Sequence, residues 1–81
     1  METRVAIISI IVEKQDCIAD LNDLLHKYST YVIGRMGIPY REKGINIISV
    51  AVDAPQDMIN ALTGSLGNLE GITAKAAYSQ K

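Results

Sequence analysis

The 81-residue sequence contains no Phe or Trp, one Cys and one His, and its acidic and basic residues nearly balance. Because its four Tyr are the only aromatic residues, the core has to be aliphatic, and stacking on nucleobases is poorly supplied. Nine Asp and Glu against eight Lys and Arg give a formal net charge of −1. This lacks the basic field that draws a protein to nucleic acid or anionic lipid, so we expect no direct nucleic-acid contact and no membrane association.

The single Cys17 cannot form an intrachain disulfide. No apolar run approaches the ~18 residues that a membrane span needs, and the sequence does not open on a charged and then apolar signal segment. These features predict a cytoplasmic protein. The length accommodates one domain, residues 1–81, with no linker or low-complexity tract.

Strands are predicted from runs of β-branched residues. Residues 4–12 and 45–52 are almost wholly apolar, which is typical of central strands. Residues 31–36 predict a short edge strand, because Gly34 and Arg35 weaken it, and residues 37–44 predict a hairpin loop. Residues 72–78 alternate apolar and polar side chains, which predicts a last strand with a wetter face.

Two helices are predicted between these strands. The first is expected to begin with Asp16 as its N-cap, and apolar residues then recur at helical spacing as far as Tyr28. The second follows Pro55 and is expected to stop at Gly67. The order strand-helix-strand occurs twice, which predicts an α+β ferredoxin-like βαββαβ fold. Its four-stranded antiparallel sheet would have strand order 4-1-3-2, with both helices on one face.

Apolar residues occur at both parities of the two central strands, although two helices can cover only one face of the sheet. The residues expected on the uncovered face are Val5, Ile7, Ile11, Ile45 and Ile47. A large exposed apolar patch usually marks an interface. We therefore predict that the chain packs against itself, face to face, as a dimer or a higher symmetric oligomer.

The sequence presents no catalytic constellation. His26 lies beside Lys27 near the expected end of the first helix, where a basic side chain complements the helix dipole. Metal sites need several convergent His, Cys or carboxylate ligands, and one His and one Cys supply these only if symmetry gathers them from several chains. We predict no enzyme activity, no catalytic residue, no metal site and no cofactor.

The segment 34–41 is the candidate ligand site. Gly34 and Gly37 weaken a strand unless the backbone bends there or approaches another group closely, and Arg35 can offer its fork to a carboxylate or phosphate. The candidate ligand-binding residues are Gly34, Arg35, Gly37, Tyr40 and Arg41. The alternative is a bulged edge strand whose Arg35 is solvated or paired across a subunit interface.

Two segments carry a family resemblance: Gly-Arg-Met-Gly-Ile-Pro at residues 34–39 and Leu-Thr-Gly-Ser-Leu-Gly at residues 62–67. With them, essentially the whole chain resembles the regulators proposed for the iron-only hydrogenase system. More distantly, it is similar to ACT domains and to the C-terminal domain of the nickel-responsive regulator. The nickel-responsive relatives bind metal through His and Cys in the region of the second strand, but residues 32–52 contain neither. ACT domains that bind amino acids typically use a glycine in the turn after the first strand, but residues 13–17 contain none. Neither site therefore carries over.

The resemblance implies an oligomeric regulatory domain tied to hydrogenase expression or maturation. The effector would be a small molecule or a protein partner, with a hydrogenase-related protein or a transcription factor as candidates. No DNA-binding segment is expected, because the domain uses all 81 residues. The alternative function is a structural or protein-interaction module without a small ligand, which offers an edge strand to its partner.

Overall fold

The computed structural model describes residues 2–81. Four strands and two helices follow one another as β1 (Arg4–Val12), α1 (Ile18–Lys27), β2 (Val32–Tyr40), β3 (Ile45–Ala54), α2 (Gln56–Gly67) and β4 (Ile72–Tyr78). All strand pairs are antiparallel, and the sheet order is β2-β3-β1-β4. Read from the other edge, this is the predicted order 4-1-3-2, so the ferredoxin-like topology is confirmed.

The core lies between one face of the sheet and the two helices. Alternate residues of β1 are buried, and so are alternate residues of β3 from Ile48 onwards. Each helix adds its own apolar stripe, Leu21 and Leu25 from α1 and three residues from α2. The buried core residues are Ala6, Ile8, Ile10, Val12, Leu21, Leu25, Ile48, Val50, Val52, Ala54, Ile59, Leu62, Leu66 and Ile72. All are aliphatic, as the missing Phe and Trp require.

The edge strand β2 is longer than predicted. The expected loop at residues 37–44 was wrong, because β2 continues to Tyr40 and only a short 3₁₀ turn at Arg41–Lys43 separates it from β3. Pro39 lacks an N–H, but an edge strand tolerates it since one side of its backbone has no partner. A register shift between Val32 and Gly34 marks a bulge at the start of the strand.

The start of α1 also differs from the prediction. Asp16 is not its N-cap, because it lies in a 3₁₀ turn at Gln15–Cys17 that precedes the helix. Cys17 occupies the N-cap position, and no side chain caps the helix there. The second helix ends at Gly67, as predicted.

The connection between β1 and α1 is fastened to the turn before β4. The Glu13 amide donates to the Gly71 carbonyl over 2.7 Å, and Lys14 Nζ donates to Glu70 Oε1 at 2.5 Å. This hydrogen bond, reinforced by the opposite charge, raises the pKa of Lys14 and lowers the pKa of Glu70. Gly71 adopts a φ of 78°, in the left-handed region.

Candidate functional site

The face of the sheet opposite the helices is open and largely apolar. The structure places Val5, Ile7, Ile11 and Ile47 on it, each between 41 and 48% exposed, and Ile45 there half-buried. These are the residues expected on the uncovered face. Since the chain offers nothing to cover them within residues 2–81, the face is available to another molecule, and its role as an oligomer interface stays a prediction.

The edge strand β2 extends this face further than the sequence indicated. Met36 lies opposite Ser49, Ile38 opposite Ile47 and Tyr40 opposite Ile45, so all three side chains share the open side. Met36 is 62% exposed and Ile38 is 50% exposed. Sequence reasoning placed neither on this face. It took the face from the two central strands alone and ended β2 at Met36, although the alternation of residues 34, 36, 38 and 40 was a signal for a longer strand.

Small residues lie across the middle of the open face. Ser9 pairs with Ser49, and Ala51 lies between Ile7 and Gly34 in the sheet register. Aliphatic side chains lie on either side of these small residues along the face, with Val5 and Ile7 towards one end and Ile11 and Ile47 towards the other. Two charged residues share the face: Lys75 on the edge strand β4 and Asp53 near the end of β3.

On the helix side of the sheet, a groove of about 550 Å³ separates α1 from β2. Its lining consists of Asn22, Asp23, Leu25, His26, Ser29, Val32, Arg35 and Val50. A second groove of about 290 Å³ shares Asn22 and Arg35 with the first. The other residues that line it, apart from Asn46, are apolar or glycine: Ile18, Leu21, Gly37, Ile38, Pro39 and Ile48. The two grooves therefore meet at Asn22 and Arg35. Together they are called the channel, with a polar half that includes His26 and Ser29 and an apolar half beside Gly37.

Arg35 lies where the two halves meet. Its Nη2 donates to Asn22 Oδ1 over 3.2 Å, which turns the guanidinium towards α1. Within residues 2–81, the one ion pair joins Lys14 to Glu70, so Arg35 has no carboxylate partner there. A guanidinium carries five N–H donors, and most of those on Arg35 stay free for a ligand.

The structure divides the candidate ligand-binding residues between the two faces. Gly34 and Tyr40 belong to the open face, whereas Arg35 and Gly37 lie opposite Val50 and Ile48 on the helix side. Arg41 lies in the 3₁₀ turn beyond the strand. Tyr40 donates its hydroxyl to Glu42 over 3.1 Å, outside both grooves. Of the five, Arg35 and Gly37 line a common cavity.

Sequence reasoning missed the contribution of α1 to this groove. Asn22 and His26 are four residues apart on α1, which places them on one face of the helix, and both line the cavity with Arg35. The spacing was a usable signal, but nothing in the sequence indicated that this helical face would border β2.

The described residues contain neither a metal-ligand cluster nor a membrane-spanning helix. Residues 2–81 contain no group of three or more His, Cys, Asp or Glu side chains placed to hold a metal ion. Over the same range, neither helix is long and apolar enough to cross a membrane.

Comparison with known proteins identifies a family and a fold. Residues 4–76 match the TM1266-like family, described as "Iron-only hydrogenase system regulator, putative". The solved structure of the uncharacterized protein TM1266 from Thermotoga maritima is 32% identical, covers 98% of this chain and 100% of its own, and superposes with a TM-score of 0.94. No protein with a curated description matches the sequence.

More distant structures share only the fold. A formyltetrahydrofolate deformylase from Pseudomonas putida KT2440 is 16% identical with a TM-score of 0.68, and the match covers 95% of this chain but 29% of the enzyme. An unknown protein from Galdieria sulphuraria is 18% identical with a TM-score of 0.66, over 99% of this chain and 47% of its own.

Proposed function

The chain belongs to the TM1266-like family, and we propose that it is a regulatory domain of an iron-only hydrogenase system that works as a homo-oligomer. In this role it catalyses no reaction and responds to a small effector or a protein partner. The observation that carries the proposal is the open sheet face, because an apolar surface of this kind on a small domain calls for a partner.

The size of the open face suits a dimer interface. Four strands about 4.8 Å apart and about eight residues long span roughly 500 Å² in projection. Side-chain relief raises the accessible area towards the ~800 Å² per partner of a standard interface. Burying this face in a dimer would also increase the apolar surface that an 81-residue chain removes from water, which is small in a single domain of this size.

The relief and charge of the face suit a second copy of the same chain. In a two-fold interface every contact occurs twice: if one residue of the first copy contacts a second residue of its partner, the same pair also meets with the copies exchanged. The aliphatic side chains of one copy can therefore lie against the small residues of the other, such as Ser9, Ser49 and Ala51. Lys75 and Asp53 have opposite charges and lie at the margins of the face, so symmetry also allows each to face the other across the dyad.

Sedimentation velocity at micromolar concentration tests the proposal. We expect the wild type to sediment as a multiple of 8.8 kDa. Ile47→Lys should sediment as a single chain, because the interface would have to bury an unpaired charge between Ile11 and Ile38. Met58→Lys is the matched control, since Met58 is exposed on α2, away from the face. A wild-type chain that sediments as a monomer would contradict the proposal.

The regulatory role is tested in cells that have lost the gene. Hydrogenase activity should change on deletion and return with the wild type or Met58→Lys, but not with Ile47→Lys. Recovery with the monomeric variant would separate regulation from oligomerisation.

A second candidate function is a protein-interaction module that adds a strand of its partner to β2. The observation in its favour is that β2 is bordered by β3 alone and is exposed from Ile33 to Tyr40. An open edge offers unpaired N–H and C=O groups to an extended peptide. Amide hydrogen exchange distinguishes this mode from face-to-face packing.

A further inference from the structure

We propose that the channel between α1 and β2 binds a small carboxylate with an aliphatic body, and that Arg35 holds the carboxylate group. The inference deepens the proposed function in one respect, because it names the chemical class of the effector. It does not depend on the open sheet face, which lies on the other side of the sheet.

The anionic group is recognised in the polar half of the channel. Arg35 donates one hydrogen bond to Asn22 over 3.2 Å and has no carboxylate partner among residues 2–81. Its remaining N–H groups can be offered to a planar carboxylate, which accepts two parallel N–H bonds. His26 and Ser29 line the same cavity and supply further donors from the end of α1.

Asp23 sets the charge that the channel accepts. It lines the same cavity but makes no ion pair with Arg35. Its carboxylate repels additional negative charge, so a monoanion is favoured over a phosphate dianion. With one guanidinium and one carboxylate lining the same groove, we expect a carboxylate monoanion to bind more tightly than inorganic phosphate.

The body of the ligand lies in the apolar half. Gly37 has no side chain on this side of β2, and a Cβ built on it would meet only Ile48 Cγ1, at 4.0 Å. The missing side chain leaves open the space beside Leu21, Pro39 and Ile48. An aliphatic chain of a few carbons fits this half, since apolar lining contributes affinity and the polar groups fix orientation.

The experiment titrates isotope-labelled protein with isocaproate and follows the backbone amide resonances by NMR. We expect saturable shifts at millimolar concentration, confined to α1 and β2. Isocaproamide, the neutral isostere, should give no saturable shifts, and inorganic phosphate should bind at least several-fold more weakly. Arg35→Gln should weaken isocaproate binding about tenfold, the loss expected for a charged hydrogen-bonding group. Arg35→Lys, which keeps the charge, should weaken isocaproate binding less.

Two further variants keep the test specific. Lys43→Gln removes the same charge in the 3₁₀ turn outside the channel and should leave the dissociation constant unchanged. Gly37→Val fills the apolar half in a strand that tolerates a β-branched residue, so it should weaken isocaproate binding severalfold while the amide spectrum stays dispersed.

The proposal is overturned by equal binding of the amide, by equal binding of phosphate, or by an equal loss in Lys43→Gln. It is also overturned if isocaproate causes no saturable shift. The two proposals fail separately: an oligomer that does not bind isocaproate keeps the proposed oligomeric role and removes this site. A monomer that binds it keeps the site and removes the oligomer.

Discussion

Gly71 is the residue at which backbone geometry and packing both require glycine. Its φ of 78° lies where a side chain costs about 1–2 kcal/mol. A Cβ there would approach Lys14 Cβ to 2.7 Å, so the β1–α1 connection would have to move. The hydrogen bond from the Glu13 amide to the Gly71 carbonyl joins the same two segments.

We therefore expect Gly71→Ala to lower the free energy of unfolding by about 2 kcal/mol, from strain and displaced packing together. Urea denaturation measures it. Gly64→Ala is the matched control, because Gly64 lies within α2 with nothing near its missing side chain. That variant should gain about 0.5–1 kcal/mol from helix propensity. Wild-type stability in Gly71→Ala would contradict this account of the turn.

The Lys14–Glu70 ion pair predicts a small dependence of stability on pH. Folding lowers the pKa of Glu70, so its contribution is present above the ordinary Glu pKa and is lost as pH falls through the lowered value. Folding raises the pKa of Lys14, so the same contribution is lost at alkaline pH, as pH rises through the raised value.

Glu70→Gln should accordingly be slightly less stable than the wild type at neutral pH, by a small amount because both side chains are exposed. Thermal unfolding from pH 7 down to pH 2 should show the two melting temperatures converge in acid. Added salt should narrow the difference at neutral pH. A difference that persists at pH 2 would exclude the ion pair as its cause.

At the scale of elements, the residue pattern was most informative for strands that contain no turn signal. The bounds of β1 and β4 could be predicted from the sequence because one is a continuous apolar run and the other alternates up to Tyr78. The end of β2 could not, since Gly37 and Pro39 are local turn signals. Pairing with β3 as far as Tyr40 overrides them. The preference of Asp16 for an N-cap was overridden similarly by the 3₁₀ turn.

The sheet order predicts how the strands exchange their amide hydrogens. β1 and β3 are bordered on both sides, whereas β2 and β4 are edges. In an oligomer that packs face to face, the outward amides of both edges should exchange fastest and those of β1 slowest. Amide exchange followed by NMR at oligomer-forming concentration measures this.

Selective protection of β2, with β4 unprotected, would instead support strand addition at that edge. The comparison uses two edges of one sheet, so global stability affects both alike. Pro39 has no amide hydrogen and is left out of the comparison.

For the whole molecule, the two candidate sites differ in how far the sequence could predict them. The open face could be predicted because both faces of the central strands are apolar, whereas two helices can cover only one side of the sheet. The channel does not, since it needs the position of α1 over β2, which brings Asn22 and His26 to Arg35. Arg35 stood out in the sequence by its glycine neighbours, but its helical partners were distant in the chain.

If the open face is an interface, folding and association are coupled by mass action. The melting temperature of the wild type should then rise with protein concentration, because binding of the folded chain to itself draws it away from the unfolded state. Ile47→Lys should melt at a temperature independent of concentration, and Met58→Lys should follow the wild type. Differential scanning calorimetry over a hundredfold range of concentration measures the slope. A flat wild-type slope would mean that the face stays uncovered, and the stability of the chain would then have to come from the aliphatic core between the sheet and the helices alone.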